Sequence, residues 1–159
     1  MNLSYRNYAS PFGNLVISFK EENCVRIEFA SLQGAKTLED GNKLKNWLDE
    51  YFSGNRPDPA IAPIALRGTD FQNKVWEAML RIPYGETTTY SDISLELTGK
   101  THSARAVGQG VGANPLAILI PCHRVLARNG PGGYAWGVEI KKKLLEHERN
   151  SIGSQRTTG

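Results

Sequence analysis

Between residues 54 and 68 the chain carries Pro57, Pro59 and Pro63, bracketed by Gly54 and Gly68. No regular helix or central strand survives that spacing, because each proline removes a donor and restricts the residue before it. The 159 residues therefore divide into a unit over 1–56, a linker over 57–67 and a second unit over 68–150, with a polar tail, 151–159, that reads as disordered. Neither unit is large enough to bury much alone, so a shared interface is expected.

The first unit reads as sheet followed by helix. Leu15-Val16-Ile17-Ser18-Phe19 is apolar and β-prone, and Val25, Ile27 and Phe29 alternate with Arg26 and Glu28. That period of two marks a half-buried strand. Glu21-Glu22-Asn23 supplies the turn between the two. Leu44, Trp47, Leu48, Tyr51 and Phe52 then fall at helical spacing, and Gly54 follows as a C-cap.

The second unit reads as helical. Thr69-Asp70-Phe71-Gln72 is a capping box, and Phe71, Val75, Trp76, Met79 and Leu80 form one stripe behind it. Two shorter helices follow, the first capped at Thr89 and the second at Thr101, with Gly99-Lys100 turning between them and Asn114-Pro115 ending the pair. The arrangement fits a helix-turn-helix, although helical hairpins are common without DNA. The second helix holds Gly108, Gly110 and Gly112. Each costs about 1 kcal/mol against alanine, so close approach of another backbone, in the protein or on a ligand, must offset it. Arg105 sits in its first turn, where the helix dipole disfavours a cation.

Charge is uneven. The net +3 comes entirely from the second half, and between Leu97 and Val138 stand Lys100, Arg105, Arg124 and Arg128 with no acidic residue. A one-signed stretch suits a polyanion or is simply a solvated surface. No run of 18 apolar residues supports a membrane span. Met1 to Arg6 lacks an apolar signal region, so a cytoplasmic protein is expected. Two cysteines, Cys24 and Cys122, make no disulfide framework and no zinc pair, so no metal is expected.

Leu116 to Ile120 reads as a buried strand running into Pro121-Cys122-His123-Arg124. A thiol needs a base to become a nucleophile. In a strand, adjacent side chains point to opposite faces, so His123 meets Cys122 only if Pro121 bends the chain or a water bridges them. Ile140, Leu144 and Leu145 mark the inward face of a last helix and put Glu148 on it. A buried carboxylate needs a partner, and His123 is a candidate.

Ile120-Pro121-Cys122-His123-Arg124-Val125 resembles the active-site signature of the O6-alkylguanine-DNA alkyltransferases. The match continues through Gly68 to Gln72, Val75-Trp76, Ile82 to Thr87, Tyr90, Arg105 to Gly108, Asn114-Pro115, Gly133-Tyr134, Trp136-Gly137 and Leu144 to Glu148, with Ser10 to Leu15 at the front. It spans about residues 5–149.

The resemblance implies an α+β fold: a small antiparallel sheet with a helix, ribonuclease-H-like, then a mostly helical, winged-helix-like domain. It implies irreversible, single-turnover alkyl transfer to Cys122, with no cofactor. His123 would act through water, Glu148 would orient it, Asn114 would brace the chain, and Tyr90 would rotate the target nucleotide. Contacts to DNA would come from Thr89, Tyr90, Lys100 and Arg105, which fills the space of the flipped base, and from Ala106, Gly108, Gly110 and Arg124. Tyr134, Val125, Trp136 and Val111 would line the substrate pocket. The implied partner is double-stranded DNA carrying O6-methylguanine, with O4-methylthymine as a further candidate, bound by a monomer. A non-catalytic sensor of the same fold is the alternative, and such relatives replace the reactive cysteine. The turn over 97–103 is about one residue longer than in the family and lacks its proline, the loop over 127–133 is short, and the zinc ligands of some relatives are absent.

Overall fold

The computed structural model describes residues 3–157, with side chains through residue 152. Strands β1 (Leu3–Ser10), β2 (Gly13–Lys20) and β3 (Asn23–Phe29) form an antiparallel meander, and β4 (Lys36–Thr37) adds to β1 in parallel, giving the order β3-β2-β1-β4. The sheet is thus mixed at one edge. Leu15, Ile17 and Ile27 are fully buried; a register shift in β3 breaks the expected alternation, so Cys24 is fully buried while Val25 and Phe29 are half-buried. Helix α1 (Lys43–Phe52) covers that face with Leu44, Trp47, Leu48 and Tyr51, and Asn42 caps its start. Each such apolar side chain contributes about 1.5–3 kcal/mol on burial.

The capping box at Thr69 opens α2 (Asp70–Leu80), with both reciprocal hydrogen bonds formed. Next come β5 (Thr88–Thr89), α3 (Tyr90–Thr98) and α4 (Ala104–Gly112); β6 (Val125–Leu126) then pairs in parallel with β5. Thr89 caps α3 as expected. The cap of α4 is Ser103 rather than Thr101, and no side chain bonds to that helix start. The chain uses Thr101 differently: its carbonyl accepts from Ala104 N at 3.2 Å, which closes the turn one residue later. Helix α5 (Val138–Thr157) runs seven residues past the expected boundary, so 151–157 continue the helix; the end of the expected disordered tail, 158–159, lies outside the described residues.

The linker is not a loose tether. Cys24 N donates to Pro63 O at 2.7 Å, Ile27 N donates to Pro115 O at 2.8 Å, and Ala117 N donates to Ile27 O at 3.0 Å. The free edge of β3 is thereby occupied by the linker and by the segment leading to Cys122. One hydrophobic core runs from Tyr8 through Leu48 and Met79 to Leu144. Among the described residues no helix is long and apolar enough to cross a membrane.

Candidate active site

Leu116 to Ile120 is buried, as its composition demands, but it is not a strand. Leu116 bridges to Ile27, Leu119 N donates back to Ala117 O at 2.8 Å, and Ile118 takes φ +71°. A β-branched residue there is strained, so something must hold it. Asn114 does. Its Oδ1 accepts from Leu116 N and its Nδ2 donates to Ile120 O, both at 2.8 Å, which clamps the two ends of the reversal. Asn114→Ala leaves the buried Leu116 amide unpaired and leaves Ile120 O with Cys122 N alone, at 2.8 Å. It should cost about 3 kcal/mol, read as a lower urea midpoint at unchanged slope.

The chain then enters a single 3-10 turn, Cys122–Arg124. With three residues per turn, adjacent side chains diverge by about a third of a revolution. Cys122 faces a cavity while His123, fully buried, faces α5. The geometry left open by a strand is therefore settled by this turn: the two side chains serve different surfaces.

On the α5 side, Glu148 collects five hydrogen-bond donor contacts. His123 Nε2 lies 2.5 Å from Oε2, and Tyr51 Oη donates to Oε2 at 2.6 Å. Arg124 donates through Nε to Oε1 at 2.8 Å and through Nη2 to Oε2 at 3.1 Å; Gly85 N completes the set at 2.9 Å to Oε1. Gly85 holds φ +81°, and a Cβ there would collide with Ile152, so only glycine brings that amide to the carboxylate. Burial pushes the Glu148 carboxyl up, but His123 and Arg124 outweigh it and hold the group well below the usual range. Burial pushes the His123 imidazole down against the pull of Glu148. The ring is thus neutral at pH 7, with Nε2 carrying the proton given to Glu148 and Nδ1 free to accept. Nδ1 has no hydrogen-bond partner.

Arg124 needs a correction. It is not a DNA contact: it is buried against Glu148, and its Nη1 donates to Ile82 O at 2.8 Å. A desolvated carboxylate requires a desolvated cation, and that is its work. Gly110 is also not at a DNA surface. It is buried, its carbonyl accepts from Trp76 Nε1 at 2.9 Å, and a Cβ would press on Val75 at 3.2 Å. Its close approach is to α2. Val125 is fully buried and lies outside the cavity lining; its carbonyl accepts from Lys141 Nζ at 2.6 Å.

The remaining expected residues come together. Tyr90, Gly108, Val111, Asn114, Cys122, Tyr134 and Trp136 line one cavity of about 150 Å³. Tyr90 is half-buried, and burial raises its phenol, so it is a neutral donor at pH 7. The outer face of α4 presents Arg105, Ala106, Gln109, Gly112 and Ala113 to solvent, small residues around one guanidinium, and Lys100 is exposed in the preceding turn. Thr89 is half-buried where β5 meets α3.

Three features escaped sequence reasoning. Lys141 is fully buried, with Nζ donating to Val125 O and to Gly133 O at 2.9 Å, so it ties β6 to the cavity wall. Tyr51 reaches Glu148 from the first unit. Gln109 joins the outer face of α4. Burial pushes the Cys122 thiol up to about 11, with Asn114 and Lys141 pulling it back. At rest it is a protonated thiol in a slot.

Residues 70–150 match the DNA-binding domain of 6-O-methylguanine DNA methyltransferase. A Metallosphaera sedula methylated-DNA–protein-cysteine methyltransferase is 41% identical over 153 residues, covering 94% of this chain and 96% of that protein. The chain belongs to this family. The constitutive methylated-DNA–protein-cysteine methyltransferase of Bacillus subtilis is 38% identical over 160 residues, 92% of this chain and 96% of its own length. Among solved structures, the Mycobacterium tuberculosis O6-methylguanine methyltransferase superposes with a TM-score of 0.79 at 36% identity over 94% of both chains. An OGT from the same organism, solved in complex with DNA, gives 0.80 at 35% identity over 93% and 94%.

Proposed function

We propose that this family member repairs O6-alkylguanine in double-stranded DNA by moving the alkyl group irreversibly to Cys122. The observation that carries the proposal is a thiol lining an aromatic-walled cavity, followed in the same turn by a buried imidazole held on a carboxylate. The alkyl carbon of such a lesion is hidden in the base stack, so the nucleotide must rotate out to reach it. Helices α3 and α4 act as the helix-turn-helix, with the outer face of α4 in the minor groove. Ala106 and Gly112 there permit close approach, and Arg105 fills the space that the base vacates.

In the reaction, the Cys122 proton passes through a bridging water to His123 Nδ1, and Glu148 stabilises the imidazolium that forms. The sulfur then attacks the alkyl carbon, an S–C bond forms, and the C–O6 bond breaks with its electron pair on guanine. Tyr90 donates a hydrogen bond as that charge develops. The thioether has no route back to a thiol, so each chain reacts once. Titrating methylated duplex against a fixed amount of protein should therefore plateau at one equivalent of methyl per chain. Continued turnover would mean a hydrolase, and tight binding without uptake would mean a sensor. Either result overturns the reading.

Arg105→Ala tests the insertion step. Loss of the residue leaves a few kcal/mol of unstacking uncompensated. Transfer from methylated duplex should slow about a hundredfold, while reaction with free O6-methylguanine base changes little. Equal losses on both substrates would remove the role.

A further inference from the structure

Tyr51 lies on α1, in the first unit, 97 residues from Glu148, yet it touches the same carboxylate oxygen as His123. We infer that the Tyr51 hydroxyl is a positioning residue of the His123–Glu148 pair, so that the N-terminal unit is part of the alkyl-transfer apparatus rather than a packing support. The inference rests on Cys122 being the alkyl acceptor.

Two points of contact carry it. Tyr51 Oη donates to Glu148 Oε2 at 2.6 Å, and His147 Nε2 lies 2.9 Å from Tyr51 O. One residue of α1 therefore grips two successive residues of α5. Its ring is fixed on both sides, stacked on Trp47 at 5.8 Å and edge-on to Tyr84 at 5.8 Å. The hydroxyl has one place to point.

The consequence is electrostatic as well as steric. Oε2 is the atom that stabilises positive charge on His123. A further donor on that atom withdraws density from it and weakens its hold on the imidazole proton. Tyr51 thus sets how basic His123 becomes. The other groups facing the pair are Arg124 on the 3-10 turn, Lys141 and His147 on α5, Tyr84 after α2 and Tyr134 before α5; Arg56 lies over the Tyr84 ring at 5.7 Å. Among these, only Arg124 also shares Oε2 with His123. Arg124 is a fixed charge, whereas Tyr51 is a neutral donor that can be removed without emptying the site.

The test uses the full chain, its Tyr51→Phe variant, and a third form with 3-fluorotyrosine at position 51. Phenylalanine keeps the ring contacts and deletes the donor. Fluorotyrosine keeps the shape and strengthens the donor, so it covers the case in which the phenylalanine form folds poorly. At neutral pH the His123 Nε2 proton is read by NMR, and single-turnover methyl transfer from O6-methylguanine duplex is read across pH. Tyr51→Phe should move the proton resonance downfield and shift the acid limb of the rate profile up by roughly half a pH unit or more. Fluorotyrosine should move both the other way. A merely structural tyrosine would alter stability and leave both readouts in place. Superimposable acid limbs in the three forms overturn the inference, whatever the thermal stabilities. If the unaltered chain transfers no methyl group, the functional reading fails first; if it transfers and the variants superimpose, only the role of Tyr51 fails.

Discussion

Glu148→Gln is expected to destabilise the fold by about 3–5 kcal/mol, the scale of breaking a buried pair from one side, and to remove alkyl transfer with it. Arg124 and Glu148 are both buried, so the neutral amide leaves a guanidinium without its counter-charge, held by the Ile82 carbonyl and the Tyr84 ring face. The amide also offers an NH₂ group where His123, Tyr51 and Arg124 all need an acceptor. The loss should depend on pH with a definite sign. The Glu148 carboxyl sits well below its ordinary value of 4.5 in the fold. Its contribution is therefore fully present above about 4.5 and disappears as pH falls through the lower folded value. Urea unfolding of parent and variant across pH should show a gap that is constant near neutrality and shrinks in acid. A gap unchanged down to acid unfolding would mean that the carboxylate is not held as described.

Cys122→Ser is expected to remove transfer while sparing the fold. A serine hydroxyl is a far weaker acid and a poorer nucleophile than a thiol, and burial already pushes the thiol to about 11. A neutral imidazole that relays a proton from sulfur has no comparable purchase on oxygen. Reaction should fall by roughly six orders of magnitude, as when a nucleophile without a substitute is deleted. Duplex affinity should stay at the parent's value, and unfolding free energy should fall by no more than about 1–3 kcal/mol, the cost of burying a hydroxyl in place of a thiol. Lost affinity would place Cys122 in the binding surface instead.

How far the sequence carried the structure depended on how local each cause was. The capping box at Thr69 and the cap at Thr89 were legible because their partners lie within a few residues. The run Leu116 to Ile120 was legible as buried and misleading as a strand. Its reversal is imposed by the Asn114 clamp and by the edge of β3, two constraints that no periodicity encodes. Arg124 read as surface charge because cations are usually solvated; its burial needs Glu148, 24 residues away. Lys141 hid in Lys141-Lys142-Lys143, where its two neighbours are exposed and only the helical phase turns it inward. Tyr51 read as core, which it is, and its hydroxyl acquired a role only when α1 met α5. The thiol, the imidazole and the carboxylate were all named from the chain; that they face two surfaces of one turn required the fold.

In the proposed reaction one sulfur takes one alkyl group from DNA. The most direct measurement incubates the protein with excess duplex bearing O6-(¹³C-methyl)guanine, then records intact mass and maps the labelled peptide. A single labelled methyl on Cys122, reached once and unchanged on further incubation, is the predicted result. Label on any other residue, more than one label per chain, or labelled methanol accumulating beside unmodified protein would contradict it.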